Sequence, residues 1–171
     1  MSRQGGSTGS GSGTSRVRSS GRELVKEFTP SATGKPVKVF PFVERIGLEE
    51  LLSVRGRAVV RLPLEPNVNH VGGMYAGALC TLAEAPGGSL FLSAFDIKRF
   101  YPIVGELCVR YVAPATTSVL VEGLMREEEI ERVTAELEST GKSKWEIEQE
   151  LVDETGKVVA TSTATYFGLS R

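Results

Sequence analysis

The amino-acid sequence predicts an α+β fold in which an antiparallel β-sheet wraps around a central α-helix. Residues 74–85 are apolar on nearly every side, as expected for a helix that other elements enclose. One strand-like segment precedes this helix, and four follow it. The last two strand-like segments are joined by a short connection that contains glycine, which favours antiparallel pairing.

The chain divides into a tail, a linker and one folded domain. It has 171 residues, of which 40% are hydrophobic and 24% are charged, and these values suit a single globular domain with appendages. Residues 1–22 are rich in Ser and Gly and have almost no aliphatic side chain, so we expect a disordered tail. Residues 23–39 are predicted to form a linker, and residues 40–171 the domain.

Charge and cysteine content exclude several classes of partner. The formal net charge is −1 with no long basic stripe, so no nucleic-acid partner is predicted. No apolar run reaches the roughly 18 to 20 residues that span a bilayer, so no membrane span is predicted. Cys80 and Cys108 lie in no metal-binding or disulfide pattern, and we predict neither a metal nor a cofactor. These features indicate a cytoplasmic protein, while the arginines and missing acids of residues 1–22 leave organelle targeting open.

The domain is predicted to begin with a short helix, a strand and the central helix. Residues 41–52 form an amphipathic helix in this interpretation, with apolar side chains at helical spacing: Phe42, Ile46, Leu48 and Leu52. Residues 55–65 alternate between apolar and polar side chains, as a half-buried strand does. The central helix, 74–85, is expected to stop at Pro86, which Gly87 and Gly88 follow.

Strands dominate the rest of the chain. The predicted strands are residues 104–112, 118–125, 145–152 and 158–167. Residues 127–142 are predicted to form a helix with its apolar stripe at Ile130, Val133 and Leu137 and a cap at Gly141. Residues 89–102 match neither pattern and are left unassigned.

The order of these elements and the segment NHVGGMYAGALCTLAE, residues 69–84, resemble the thioesterase group of hotdog-fold proteins. The resemblance is to the phenylacetyl-CoA thioesterase (PaaI-like) family and to its uncharacterised relatives of the YiiD C-terminal-domain-like, DUF4442 type. It extends more weakly over residues 40–167. It implies a hotdog fold, a thioesterase-like activity and a substrate of the acyl-CoA type.

In better-known members of this group, an Asn, a Gly, a His-Gly-Gly triplet and an acidic residue recur at fixed spacing. The matching positions in this chain are Asn69, Gly72, the triplet Tyr75-Ala76-Gly77, and Glu84. Tyr75 and Ala76 depart from the His and the first Gly of the triplet. A phenol therefore stands where the resemblance expects an imidazole.

The residues themselves suggest how a thioester could be hydrolysed. The first turn of a helix has unpaired N–H groups and the positive end of the helix dipole, so the amides of Ala76 and Gly77 are predicted to form an oxyanion hole. Glu84 in apolar surroundings should have a raised pKa, which suits a general base, and the same carboxylate is also a candidate nucleophile. Asn69 is predicted to orient the reacting group.

Five further residues are predicted to contact the substrate. Glycines let a substrate approach the backbone closely, and Thr81 shares the helix face of the predicted acid. Arg110 is a candidate partner for the phosphates of CoA. The predicted substrate-binding residues are Tyr75, Gly72, Gly73, Thr81 and Arg110.

The distance along the helix raises a difficulty that the resemblance resolves. Gly77 and Glu84 are separated by about 10 Å along one helix, at roughly 1.5 Å per residue. Hotdog domains pair, and their sites form between protomers, so the resemblance implies that Glu84 of one chain works with the helix start of another. We therefore expect a homodimer or a dimer of dimers.

Three alternative functions stay open at this point. A non-catalytic module that binds acyl ligands is favoured by Tyr75, which replaces the histidine. A purely structural dimerisation domain would need no site at all. A hydratase or dehydratase of the same fold is disfavoured, because His70, the one histidine of the chain, lies outside any matching motif.

Overall fold

The structure, a computed structural model, describes residues 18–28, 35–36 and 41–171, the pair 35–36 by its backbone only. It confirms the α+β class and the hotdog fold, because an antiparallel sheet wraps around one long helix, Ala76–Ala94. The predicted tail lies outside the described residues up to residue 17. The boundaries of tail, linker and domain stay predictions.

The described residues form four helices and seven strands. The helices are α1 (Gly21–Phe28), α2 (Pro41–Arg45), α3 (Ala76–Ala94) and α4 (Glu127–Thr140). The strands are β1 (Lys35–Pro36), β2 (Glu49–Val54), β3 (Arg57–Leu62), β4 (Phe100–Tyr111), β5 (Val119–Leu124), β6 (Lys142–Asp153) and β7 (Val158–Ser170). Their order across the sheet is β1-β2-β3-β5-β6-β7-β4, so β4 lies at an edge and pairs with β7 alone.

Helix α3 is longer than the sequence predicts. The prediction that it stops at Pro86 is wrong, since the helix continues to Ala94. Close packing explains the difference: a Cβ on Gly87 would lie 2.0 Å from Cζ of Tyr166, and a Cβ on Gly123 of β5 would lie 2.6 Å from Cβ of Pro86. These contacts with the sheet outweigh the poor helix propensity of proline and glycine. Glu84 therefore lies near the middle of the helix.

The segment 41–52 also differs from the prediction of one amphipathic helix. Helix α2 ends at Arg45, and the chain turns at Gly47, whose φ of +72° is one that other residues rarely adopt. Strand β2 then begins at Glu49 and pairs with β3. The periodicity of this short segment fits a helix, but hydrogen bonding to β3 makes its second half a strand.

The second half of the chain follows the prediction closely. Strands β4 to β7 overlap the four predicted strands, and β6 and β7 pair antiparallel. The stripe of α4 is buried as expected, and Gly141 ends that helix in the left-handed conformation at φ +73°. The unassigned residues 89–102 form the end of α3 and the start of β4.

Helix α1 covers part of the outer face of the sheet, the face opposite α3. Leu24 is buried there against Val59, Leu120 and Val152. The backbone N–H of Ser20 donates to Glu23 Oε2 at 2.9 Å, and the N–H of Glu23 donates to Ser20 Oγ at 3.3 Å, which is a reciprocal cap at the helix start.

An ion-pair network also attaches α1 to the sheet. Arg57 of β3 donates to Glu27 of α1 at 2.7 Å and to Glu122 of β5 at 2.7 Å. Glu122 is 4% exposed and also accepts a hydrogen bond from the N–H of Ser19 at 3.1 Å. Residues of the segment 18–28 thus contact the sheet through both apolar and charged side chains.

Candidate active site

A groove of about 580 Å³ lies beside the first turn of α3. Three of the predicted site residues line it, Asn69, Gly73 and Ala76. Most other lining residues are apolar and come from the preceding loop, from α3 and from the segment after β4: Val71, Met74, Leu79, Ala113, Pro114 and Ala115. Such a lining suits the apolar part of a small ligand.

The loop before α3 is organised by Asn69. Its Oδ1 accepts hydrogen bonds from the N–H of Val71 at 2.9 Å and of Gly73 at 3.1 Å. Gly72 has φ +85°, which explains a glycine at this turn. Among the described residues, the Nδ2 of Asn69 donates only to the carbonyl of Met74, at 3.4 Å. This long contact leaves Nδ2 as a hydrogen-bond donor beside the groove.

The start of α3 presents two free N–H groups among the described residues. Tyr75 is the N-cap, and its side chain makes no capping hydrogen bond. Its carbonyl accepts from Ala78 at 3.0 Å and from Leu79 at 3.1 Å. The N–H groups of Ala76 and Gly77 donate to no acceptor among residues 18–28 and 41–171. Two adjacent donors are therefore available to a ligand.

The ring of Tyr75 lies directly beside these donors. Its side chain is 61% exposed, and a Cβ placed on Gly77 would lie only 2.5 Å from its Cε1. Gly77 thus allows the ring to rest against the helix. Tyr75 occupies the position at which the resemblance expects a histidine.

Glu84 lies two helical turns beyond Gly77. Its side chain is partly buried, and its carboxylate accepts no hydrogen bond from the described part of the chain. Burial raises the pKa of Glu84 above its ordinary value, in the predicted direction. The rise of about 10 Å along the helix keeps this carboxylate apart from the free amides within one protomer.

Two predicted residues have other roles in the isolated protomer. Thr81 Oγ1 donates to the carbonyl of Gly77 at 3.0 Å, which stabilises the first turns of α3. Arg110 lies on the outer face of β4, in a shallow depression that it shares with Glu148 and Glu150. The structure therefore does not bring Arg110 to the groove.

Tyr111 was missed by the sequence analysis. It ends β4, lines the groove and donates a hydrogen bond from Oη to the carbonyl of Ala76 at 3.1 Å. Its Oη also contacts Cys80 Sγ at 3.0 Å. The available signal was alternation along the strand, which places Tyr111 on the same face as Leu107 and Val109.

The described ranges contain neither a membrane-crossing helix nor a metal-binding cluster. Within residues 18–28 and 41–171, no helix is long and apolar enough to cross a bilayer. In the same ranges, no three His, Cys, Asp or Glu side chains are grouped so that they could hold a metal ion.

The chain matches one family model and several solved structures. The family model described as a domain of unknown function, DUF4442, matches residues 38–167. A crystal structure from Pseudomonas aeruginosa, described as a protein of unknown function and "probable thioesterase", is 40% identical, with a TM-score of 0.74, and the match covers 88% of this chain and 94% of that one.

Two more distant structures share the fold. A Shewanella oneidensis protein, described as a candidate thioesterase, is 22% identical with a TM-score of 0.64, covering 77% of this chain and 90% of that one. A mutant of a thioesterase enzyme from Staphylococcus aureus is 15% identical with a TM-score of 0.62, covering 75% and 98%. No curated protein matched the chain.

Proposed function

The chain belongs to the DUF4442 family, and from this premise we propose that it is a thioesterase-like hydrolase acting on an acyl-CoA or a related acyl thioester. One observation carries the proposal: Ala76 lines an apolar groove, its N–H and that of the next residue, Gly77, are free among the described residues, and a partly buried carboxyl, Glu84, lies on the same helix. The description of the 40% identical Pseudomonas aeruginosa protein as a probable thioesterase supports it.

The proposed reaction is general-base hydrolysis. Glu84 takes a proton from a water molecule whose oxygen attacks the thioester carbonyl carbon. The carbonyl oxygen becomes an oxyanion and accepts hydrogen bonds from the amides of Ala76 and Gly77. The C–S bond then breaks, and Glu84 returns the proton to the thiolate, which gives a carboxylic acid and a thiol. In the alternative route Glu84 attacks the carbonyl carbon itself, and the C–S bond breaks to release the thiolate and leave an anhydride. Water then cleaves the anhydride, which releases the carboxylic acid, regenerates the Glu84 carboxylate and supplies the proton that converts the thiolate to the thiol.

The environment of Glu84 suits this role. A carboxylate accepts a proton more readily when its pKa is raised towards the working pH, and burial moves the pKa of Glu84 in that direction. Its carboxylate accepts no hydrogen bond from the described residues, so both oxygens are available to water or to a substrate.

In this proposal the loop before α3 and the groove bind the substrate. The acyl group occupies the groove, and the exposed ring of Tyr75 lies at the adjoining helix start. Gly72 and Gly73 allow close approach of the substrate to the backbone, and Asn69 Nδ2 orients the reacting group. Thr81 shapes the helix start. Arg110 lies on the outer face of the edge strand, so it would contact only a part of CoA that extends past that edge.

A homodimer forms the complete site in this proposal. Strand β4 is twelve residues long, and one of its edges pairs with no other strand among the described residues. Exposed apolar side chains lie along it and just beyond it: Ile103, Val104, Tyr111 and Val112. Long apolar edge strands are usually paired or protected in natural proteins. Pairing of β4 with a second copy would satisfy both the backbone and these side chains.

Such pairing would also resolve the separation of Glu84 from the oxyanion donors. Tyr111 of β4 contacts the carbonyl of Ala76, so the helix start lies next to the edge strand. Glu84 follows on the same helix, two turns further along. A second copy across β4 would therefore bring its own Glu84 towards the Ala76 and Gly77 amides of the first. A dimer of two such dimers is compatible with the same argument.

Thioester hydrolysis tests the proposal directly. A panel of acyl-CoA substrates is incubated with the purified protein, and released CoA is measured with a thiol reagent. Wild type is expected to release CoA, and Glu84→Gln to lose at least about 100-fold in kcat. Glu128→Gln, which changes an exposed glutamate of α4, is the matched control and should keep full activity. Equal release by wild type and Glu84→Gln refutes the proposal.

A binding module that lacks catalysis is the second candidate. Tyr75 in place of the histidine favours it, because a phenol is a weak base at neutral pH. Under this alternative the protein retains an acyl ligand in native mass spectrometry but does not cleave a thioester. A ligand-free dimer without activity would favour the dimerisation module instead.

The narrower predictions depend on the same experiments. The resemblance at residues 69–84 suggests the PaaI-like or YiiD C-terminal-domain-like subtype. The range of acyl-CoA substrates that the protein cleaves would test this assignment. The proposal of a cytoplasmic location is based on the two cysteines. Cys80 and Cys108 are both free thiols, which suit a reducing compartment.

A further inference from the structure

We propose that Tyr111 is a positioning residue of the thioester site and acts through the peptide group that joins Ala76 to Gly77. This inference rests on the proposed function. The Oη of Tyr111 donates to the carbonyl oxygen of Ala76 at 3.1 Å. That carbonyl and the N–H of Gly77 belong to one planar amide, so a hydrogen bond to one end acts on the other.

The effect on the amide has two parts. A hydrogen bond to the carbonyl oxygen draws electron density from the nitrogen and makes the N–H of Gly77 a stronger donor. It also fixes the plane of the peptide at the first turn, where a helix tends to fray. Gly77 N–H is one of the two free donors beside the groove, so the proposed oxyanion contact gains both strength and direction.

Cys80 extends this contact into a chain of hydrogen bonds. Tyr111 has one hydroxyl proton, and the Ala76 carbonyl can only accept, so the phenol donates to the carbonyl. The thiol of Cys80, 3.0 Å from Oη, then donates to the phenol oxygen. Donors linked in series polarise one another, and the thiol therefore reinforces the phenol as a donor.

The phenol keeps its proton under all ordinary conditions. Burial, with smaller contributions from Cys80 and Tyr75, raises the pKa of Tyr111 to about 12. Tyr111 is therefore a permanent donor and takes no part in proton transfer. Its role differs in this respect from that of Glu84.

The position of Tyr111 connects the helix start to the edge of the sheet. It is the last residue of β4, and its side chain lines the groove. The same strand carries the free edge at which a second copy is proposed to pair. The orientation of the Gly77 amide is thus coupled to the edge strand through one side chain.

Tyr111→Phe removes the hydroxyl and keeps the ring. We expect kcat to fall about tenfold with KM unchanged within about twofold, a smaller loss than the roughly 100- to 1,000-fold that follows deletion of an oxyanion donor itself. Binding of an acyl-CoA trifluoromethyl ketone, which forms a tetrahedral adduct, should weaken by the same factor. Binding of an S-alkyl-CoA thioether, which lacks the thioester carbonyl, should not change.

Tyr101→Phe is the matched control on the same strand. The hydroxyl of Tyr101 makes no hydrogen bond within residues 18–28 and 41–171, so kcat and both affinities should stay at wild-type values. Cys80→Ala should lower kcat in the same sense as Tyr111→Phe but by less. Cys80→Ser restores a donor to the phenol and should recover most of that loss.

A measurement independent of catalysis completes the test. In ¹⁵N-labelled protein, Tyr111→Phe should shift the Gly77 amide nitrogen upfield, because its peptide carbonyl loses a hydrogen bond. If the wild type is active and Tyr111→Phe leaves the Gly77 signal unmoved, or changes KM without lowering kcat, the inference is overturned and the proposed function stays intact. Wild type that cleaves no thioester refutes the proposed function, and the Gly77 shift then still decides whether Tyr111 controls this amide.

Discussion

The phenol of Tyr166 donates a hydrogen bond of 2.7 Å to the main-chain oxygen of Glu84. Its ring fills the space beside Gly87, where a Cβ would lie 2.0 Å from Cζ. Strand β7 thereby holds the middle of α3, immediately before Pro86. The backbone that carries Glu84 is fixed by this contact, although the carboxylate itself accepts no hydrogen bond from the described residues.

Glu84→Gln is expected to raise thermal stability at neutral pH. Burial raises the pKa of Glu84, so the folded protein holds this proton more tightly than the unfolded chain does. Stability therefore falls as pH rises from the unfolded pKa through the folded pKa. Glutamine has no carboxyl to ionise, so Glu84→Gln does not lose this stability. The Tm of Glu84→Gln should therefore equal that of wild type at about pH 4 and exceed it increasingly as the pH rises above 4. Thermal unfolding followed by circular dichroism across this pH range measures the difference.

Glu128→Gln serves as the control for that comparison. Its side chain is exposed, so Glu128→Gln should not reproduce the pH-dependent gain in Tm of Glu84→Gln. An advantage of Glu84→Gln that does not depend on pH would contradict the prediction.

The pH dependence of hydrolysis should reflect the same carboxyl. A general base works only when deprotonated, so kcat is expected to rise with pH through the raised pKa of Glu84 and then level off. The rising limb should lie above the range of an ordinary glutamate, about pH 4.3. Steady-state kinetics in overlapping buffers give the profile. A rate that is flat across and above that range argues against Glu84 as the base.

Gly77→Ala is expected to impair catalysis with little effect on folding. The new Cβ would meet the Tyr75 ring at 2.5 Å, and this ring is 61% exposed and free to move. Stability should change by less than about 1 kcal/mol, as at most surface sites. The displaced ring would obstruct the free amides, and kcat should fall about tenfold or more.

A second substitution separates the two causes of that loss. In a Tyr75→Ala background the collision disappears, so adding Gly77→Ala should cost much less than it does alone. Equal losses in both backgrounds would show that the methyl group, and not the ring, blocks the site.

A charge on the edge strand is expected to dissociate the proposed dimer. Ile103 on β4 is 45% exposed, and Ile103→Lys would place an ammonium group in the proposed interface. Light scattering coupled to size exclusion should show a monomer, and thioesterase activity should fall with it. Ile97→Lys is matched in exposure at 47% but lies before β4, so it should leave assembly unchanged. A dimer that survives Ile103→Lys places the interface elsewhere.

Arg57→Met is expected to destabilise the fold by about 3 to 5 kcal/mol, because it leaves the buried carboxylate of Glu122 without its cation. Chemical denaturation measures the loss. Adding Glu122→Gln removes the uncompensated charge and should recover part of the stability. If the double variant is as unstable as Arg57→Met, the cost comes from lost packing of the arginine stem.

Local patterns predicted much of the fold but failed where distant contacts decide the structure. Strands β4 to β7 and helix α4 follow from alternation, helical spacing and the Gly141 cap, which are local signals. The extension of α3 through Pro86 depends on Gly123 and Tyr166, which lie far away in the sequence. Likewise, β2 is a strand because β3 pairs with it, and its own spacing fits a helix.

The candidate site likewise has features that local sequence predicts and features that depend on distant contacts. The free amides at the start of α3 and the direction of the Glu84 pKa shift follow from helix geometry and apolar neighbours, and both agree with expectation. Tyr111 could not be placed by sequence, because its contact with Ala76 depends on how β4 lies across the helix. The same packing places Arg110 on the opposite face of that strand, away from the groove.

The attachment of α1 has a practical consequence for anyone who shortens this protein. The family match begins at residue 38, and a chain trimmed there would lose α1. Val59, Leu120 and Val152 would then face water, and Arg57 would lose Glu27. An exposed hydrophobic patch of this kind promotes aggregation, so the trimmed protein should express poorly even though the groove beside α3 is untouched.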